Sequence, residues 1–286
     1  MQGAASLDIE ALQRQLTTQF TGVGDRLVYL RTVESTNTLA MRLADERPEE
    51  GLVVLTDSQT AGKGRQGHRW VDVSGCNILS STILRPHFPP HLLVMVASLA
   101  VVDSIFETCR VSATIKWPND VLIGDRKVAG ILIETRRDPL GRQVAIVGIG
   151  INVNGRIQDL SQRLSSQASL LANATTLETE CGQPVSREAL IAHLLQHIEY
   201  DYLALQQEAA GTSSVKTSPY GPFARLLRER WKGQLSTLGR TIAVRQGDSE
   251  ISGIAENVDE NGELLLRSHS GEMITITWGI LEYPAR

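Results

Sequence analysis

Cations and glycines alternate in one stretch, Gln59-Thr60-Ala61-Gly62-Lys63-Gly64-Arg65-Gln66-Gly67-His68-Arg69-Trp70. Residues 62–70 hold three Lys/Arg, three glycines and no acid, in a chain whose formal net charge is −4, so the positive charge is local. Glycines let backbone N–H groups approach a ligand closely, and Lys63 and Arg65 supply charge to a phosphate or carboxylate. Trp70 offers a flat apolar face to a ring. On residue types alone, an anion cradle and a solvated basic turn beside a core tryptophan both fit.

Three further segments carry polar chemistry. Lys116-Trp117-Pro118-Asn119-Asp120 combines a cation, an amide and an acid around a proline-fixed turn, suited to a polar ligand and a metal-bound phosphate, or simply to a turn. Lys127-Val128-Ala129-Gly130-Ile131-Leu132-Ile133-Glu134 starts an apolar strand with a lysine that either meets solvent or enters a site as a point charge. Gly148-Ile149-Gly150-Ile151-Asn152-Val153-Asn154 reads as a tight turn at a pocket wall, because Val153 stands where a dinucleotide fingerprint needs glycine. A Walker A loop is missing, since Gly64 follows Lys63, and no G-x-S-x-G elbow occurs. His193 and His197 have zinc-ligand spacing but no catalytic glutamate beside them, which makes them ordinary surface or core histidines.

The elements that must position these residues follow from periodicity. Helices are expected over residues 7–20, 34–46, 91–109, 186–206 (Ser186 as N-cap) and 223–231, with a connection over 210–222. Strands are expected over 27–33, 51–57, 77–84, 114–117, 121–123, 127–134 and 143–149, and short connections such as Asp138-Pro139-Leu140-Gly141 force most of these to pair antiparallel. The fold class is α+β, a mixed, mainly antiparallel sheet flanked by helices. Four more runs, over 241–245, 250–257, 263–267 and 273–278, describe a small β-barrel. The resulting units are an N-terminal helical extension (1–26), a central domain (27–232) and the barrel (233–286).

With 286 residues and 42% apolar composition, the chain can bury its own core. It has no run of about 18 uncharged apolar residues and no signal-peptide pattern, which predicts a cytoplasmic protein without a membrane partner. Cys76, Cys109 and Cys181 are widely spaced and read as reduced thiols. Net acidity argues against nucleic acid as the main partner.

In order and spacing, these segments together with Glu34-Ser35-Thr36-Asn37 resemble biotin protein ligases over roughly residues 27–208, and the terminal β-module resembles the family's SH3-like domain. The resemblance implies a class II synthetase-like catalytic domain that joins biotin and ATP, with Mg²⁺, into biotinyl-5′-AMP. It then implies transfer to a lysine of a biotin carboxyl carrier domain, as in acetyl-CoA carboxylase, by a monomer or homodimer. Ser35, Thr36, Asn37 and Gln59 match residues lining the biotin ureido pocket. Lys63, Gly64 and Arg65 match the adenylate loop, and Trp70 the adenine-stacking position. Lys127 matches the lysine between biotin carboxylate and α-phosphate. Asn119, Asp120 and Asn152 match polar positions beside nucleotide and metal. Lys127 and Arg65 are the catalytic expectation, since two anions must be brought together. Where the family commonly reads Gly-Arg-Gly-Arg and a further basic residue, this chain has Lys63 and Gln66; lysine keeps the charge and loses the bidentate fork. A lipoate-attaching ligase shares the implied fold, and a biotin-sensing repressor would need a helix-turn-helix for which about 26 residues are too few.

Overall fold

The computed structural model describes residues 6–46, 49–138, 141–155, 157, 173–211 and 220–283. The strands β1 (Leu27–Val33), β2 (Val53–Gln59), β3 (Asn77–Leu84), β4 (Thr114–Lys116), β5 (Asp120–Ile123), β6 (Arg126–Arg137) and β7 (Gln143–Asn152) form one seven-stranded sheet, ordered β1-β2-β3-β7-β6-β5-β4. β1 and β2 pair parallel because α2 (Thr36–Glu46) carries the chain back between them; the other ladders are antiparallel. The α+β reading holds.

Alternation along the strands sends side chains into two cores. Val53 and Leu55 of β2 join Ile149 and Ile151 of β7 under α3 (Leu92–Cys109) and α5 (Arg187–Gly211), after α1 (Ile9–Gln15) and α4 (Leu177–Cys181) in the helix numbering. Leu52, Val54, Ile83 and Ile146 face the other way, against Ala40 and Ala44 of α2. α2 covers only part of that second face, and the uncovered part becomes a cavity. α3 is long and apolar enough to cross a membrane by length and composition, although its apolar run is interrupted by charge. It carries Asp103 and Glu107 and lies mostly buried in the core.

The expected faces of α5 recur, with Leu190, Leu194, Ile198, Tyr202 and Leu205 all buried and Ser186 Oγ accepting from Ala189 N (3.2 Å). The first helix is shorter than expected, because Leu16 adopts extended backbone. α6 (Pro222–Gly233) starts on its proline, as the fixed φ of that residue favours. Most of the expected 210–222 connection, and residues 139–140 of the expected turn, lie outside the described residues.

The terminal unit is a five-stranded antiparallel sheet of β8 (Thr241–Gln246), β9 (Ser249–Val258), β10 (Leu264–Ser268), β11 (Met273–Ile276) and β12 (Ile280–Glu282), ordered β11-β10-β9-β8-β12. β12 was not evident in the sequence: three residues are too few to show alternation. It pairs with β8 and turns Gly279, Ile280 and Leu281 toward the cavity of the large sheet.

Candidate active site

The segment 148–154 is not the expected turn. It is the end of β7, where Val147, Ile149 and Ile151 fill the core while Gly148 and Gly150 face the cavity. Gly150 lies opposite Gly130 of β6, so the sheet has a patch without side chains. Trp70 uses it: a Cβ on Gly150 would come within 2.5 Å of the indole Cε2, and one on Gly130 within 3.1 Å of Cζ3. Asn37 uses Gly148 in the same way, since a Cβ there would collide with its Oδ1. The glycines, read as a turn signal, are a floor on which two predicted site residues rest.

The cavity above this floor measures about 280 Å³, and its lining includes Ser35, Thr36, Asn37, Gln59, Lys63, Gly64, Arg65, Trp70, Asn119, Asp120 and Lys127. Asn152 lies apart from them, in an adjoining cavity of about 300 Å³ with Asn173 and Ala174. Trp70, Lys116, Asp120 and Lys127 border both cavities, so they stand at the boundary.

Helix and strand ends build the first cavity. Thr36 and Asn37 open α2, and Gln59 ends β2, with its Oε1 accepting from Thr36 N (2.8 Å). A free N–H of the helix's first turn is thus satisfied by a cavity-lining side chain. Gln59 N in turn donates to Asp72 (3.1 Å), whose carboxyl burial holds above its ordinary pKa against the opposing bonds from Gln59 and Ser58.

The loop from Gly62 to Trp70 forms a small hairpin. Gly64 N donates to His68 O (2.7 Å), Trp70 N to Gly62 O (3.0 Å), and Lys63 bridges Arg69. Gln66 sits at its tip in the left-handed region (φ 53°). Arg65 points inward, donating to Asn119 Oδ1 (2.8 Å), while Asn119 Nδ2 donates to Ile131 O (2.8 Å). Burial lowers the Arg65 pKa, with Asp120 opposing, yet guanidinium keeps its proton in proteins.

At the boundary, Lys127 Nζ lies 2.7 Å from Asp120 Oδ1 and 5.7 Å from the Trp70 ring centroid. Its backbone is clamped by Asn173 O and Thr175 N (2.7 and 2.9 Å). Lys116 was not singled out in the sequence as a site residue on its own, yet it borders both cavities. Burial lowers its pKa, Asp120 opposes this, and Lys127 adds to it. Ser81, Glu134 and residues 279–281 were also missed. Glu134 stands in a motif already noted, but no sequence signal places it beside Asn37. Among the described residues no three His, Cys, Asp or Glu side chains gather to hold a metal. His193 and His197 face Thr108 and Glu107 of α3 instead (3.0 and 3.2 Å).

Residues 29–154 match the model of the Biotin/lipoate A/B protein ligase family, and residues 237–280 that of the Biotin protein ligase C terminal domain. A biotin--[acetyl-CoA-carboxylase] ligase of Paracoccus denitrificans is 32% identical over 250 residues, covering 86% of this chain and 95% of the relative. The bifunctional ligase/repressor BirA of Bacillus subtilis (strain 168) is 32% identical over 252 residues, covering 87% of this chain and 71% of that protein. The structure of a biotin protein ligase from Aquifex aeolicus in complex with biotin and ATP superposes with a TM-score of 0.70 at 26% identity, covering 91% of this chain and 98% of that one.

Proposed function

The chain belongs to the biotin protein ligase family, and from that premise we propose that its two adjoining cavities hold biotin and the adenosine of ATP on either side of Lys127. The protein is an ATP-dependent biotin ligase. It activates biotin as biotinyl-5′-AMP with loss of pyrophosphate, and transfers the acyl group to a lysine of a carboxyl carrier protein with loss of AMP.

The observation that carries the assignment of roles is the place of Lys127 at the boundary of the two cavities. Biotin in the first cavity directs its carboxylate toward the boundary, and ATP in the second directs its α-phosphate there. The two anions repel, and negative charge builds on the phosphoryl oxygens as the C–O–P bond forms. Lys127, prepositioned by Asp120, and Arg65, prepositioned by Asn119, offset that charge without reorganising. Lys116 adds a third cation at the same place. Trp70, lying flat on Gly130 and Gly150, offers its ring to the adenine, and Asn152 a polar contact beyond it.

Thr36, Asn37 and Gln59, with Ser35, take the ureido ring; Lys63 and Gly64 close over it from the loop. Mg²⁺ is proposed to arrive with the nucleotide. A site lined by Asp120 and Asp125, with no cluster of three such donors among the described residues, fits an ion held mainly by phosphates and water. A carboxyl carrier domain is proposed as the acceptor, and the net charge of −4 argues against nucleic acid as the main partner. The three cysteines, read as reduced thiols from their number and spacing, support a reducing, cytoplasmic location.

The test incubates the protein with biotin, MgATP and a carboxyl carrier domain and reads the mass of the carrier. One added biotinyl group, dependent on both substrates, is expected. Gain of lipoyl but not biotinyl mass in a parallel incubation would assign the cavity to the lipoate ligases.

A further inference from the structure

We propose that Glu134 is a positioning residue that, through Asn37, fixes which atoms at the ureido end of the cavity donate and which accept; the inference rests on the biotin assignment above. Glu134 Oε2 accepts from Asn37 Nδ2 at 2.7 Å, and its Oε1 lies 3.8 Å from Lys63 Nζ. An ionised carboxylate can only accept. Asn37 must therefore turn its NH₂ toward Glu134, since the flipped amide would set two oxygens against each other.

The rest follows by counting protons. Asn37 Oδ1 faces Ser81 Oγ at 2.6 Å, and Ser81 spends its one hydroxyl hydrogen there. Ser81 Oγ also lies 2.8 Å from Thr36 Oγ1, so in that contact it accepts and Thr36 donates. Thr36 Oγ1 also lies 3.2 Å from Gln59 Oε1, so its one hydrogen is shared between that oxygen and Ser81, and Gln59 Oε1 is held in addition by the Thr36 backbone N–H (2.8 Å). Gln59 Nε2 is turned toward Gly62, the start of the loop. The charge on one carboxylate thus orders Asn37, Ser81 and Thr36. It leaves a lone pair on Asn37 Oδ1 as acceptor, while the Thr36 backbone N–H, independently of Glu134, leaves Gln59 Nε2 as donor.

A cyclic urea carries N–H donors beside a carbonyl acceptor and needs this polarity. Gly148 makes the device work: a Cβ there would meet Asn37 Oδ1, Cγ and Nδ2 together, so the amide lies flat on the strand. With glutamine at 134, the neutral amide could donate or accept, and both orientations of Asn37 would be populated.

The experiment measures pyrophosphate release by wild type, Glu134→Gln, Asn37→Ala and the double variant, with KM for biotin at saturating ATP and KM for ATP at saturating biotin. For Glu134→Gln we expect a rise in biotin KM of about tenfold or more, in line with loss of one charge-assisted hydrogen bond, and an unchanged ATP KM. In the Asn37→Ala background the same substitution should add almost nothing. Gly148→Ala, which displaces Asn37 by another route, should reproduce the biotin-specific loss. An unchanged biotin KM, equal losses for biotin and ATP, or a full additional loss in the Asn37→Ala background would overturn the proposal. Failure of the wild type to bind biotin in calorimetry would instead remove the biotin assignment beneath it.

Discussion

Lys127 is held at its nitrogen by Asp120 and at its backbone by residues 173–175, so its charge is fixed before substrates enter. Lys127→Ala removes that cation and takes from Asp120 its partner at 2.7 Å, which adds repulsion toward an incoming phosphate. Loss of one preorganised donor to developing charge is worth about 3 kcal/mol, so pyrophosphate release should fall at least about a hundredfold with the thermal transition kept. Release near the wild-type rate would reduce Lys127 to a strand-edge lysine. Trp70 calls for a comparison of two variants. Trp70→Ala removes the proposed stacking face, and Gly150→Ala lifts the ring from its floor, since the new methyl would stand about 2.5 Å from Cε2. Both should weaken ATP binding by about 1–3 kcal/mol, the usual worth of an aromatic stacked on a base, and biotin binding by less. Equal losses for both ligands in calorimetry would make Trp70 a packing residue.

At the scale of the element, the loop of residues 62–70 is a hairpin closed by few backbone bonds and built on Gly62, Gly64 and Gly67, with cations that repel one another in the absence of an anion. Its opening should be cheap, and the adenylate should protect it. Arg65→Gly deletes the inward cation and its tie to Asn119. We expect faster release of biotinyl-AMP in stopped flow, with biotin appearing on lysines of added serum albumin; an unchanged off-rate and a clean albumin blot would mean the loop does not retain the intermediate. This loop, the strand 77–84 and the helix ending at Cys109 were legible because charge, β-branching and apolar periodicity are local signals. Two features were not. The role of Gly148 and Gly150 depends on which face of β7 each occupies and on what lies above it, and the pairing of Glu134 with Asn37 joins residues 97 apart. Sequence named most of the cavity's lining, but distances between strands decide which of those side chains touch.

At the scale of the molecule, the terminal sheet is built into the catalytic unit. Trp117 N donates to Thr237 Oγ1 (3.0 Å), Trp117 Nε1 to Gly262 O (2.9 Å), and Ile115 N to Gln234 O (2.8 Å), so the Lys116–Asp120 turn is braced from the terminal side. Nearby, a cavity of about 360 Å³ is lined by His91, Met95, Trp117, Trp231 and Asn261. Tyr220 joins two of its lining residues: its hydroxyl donates to Asn261 Oδ1 (2.7 Å) and therefore accepts from His91 Nε2 (3.0 Å), which puts a proton on that nitrogen. Burial lowers the His91 pKa, with Asp259 opposing. The sign follows from linkage. A histidine whose folded pKa is depressed stabilises the fold above its unfolded value of about 6.5; as pH falls below that value the unfolded chain binds the proton first, and stability is lost until the folded pKa is passed. Wild type should therefore lose part of its thermal stability between pH 7.5 and 5. His91→Gln keeps a donor for Tyr220 but cannot titrate, so its melting temperature should fall less over the same interval. Parallel pH profiles for the two proteins would show that the contact between catalytic unit and terminal sheet does not depend on a neutral His91.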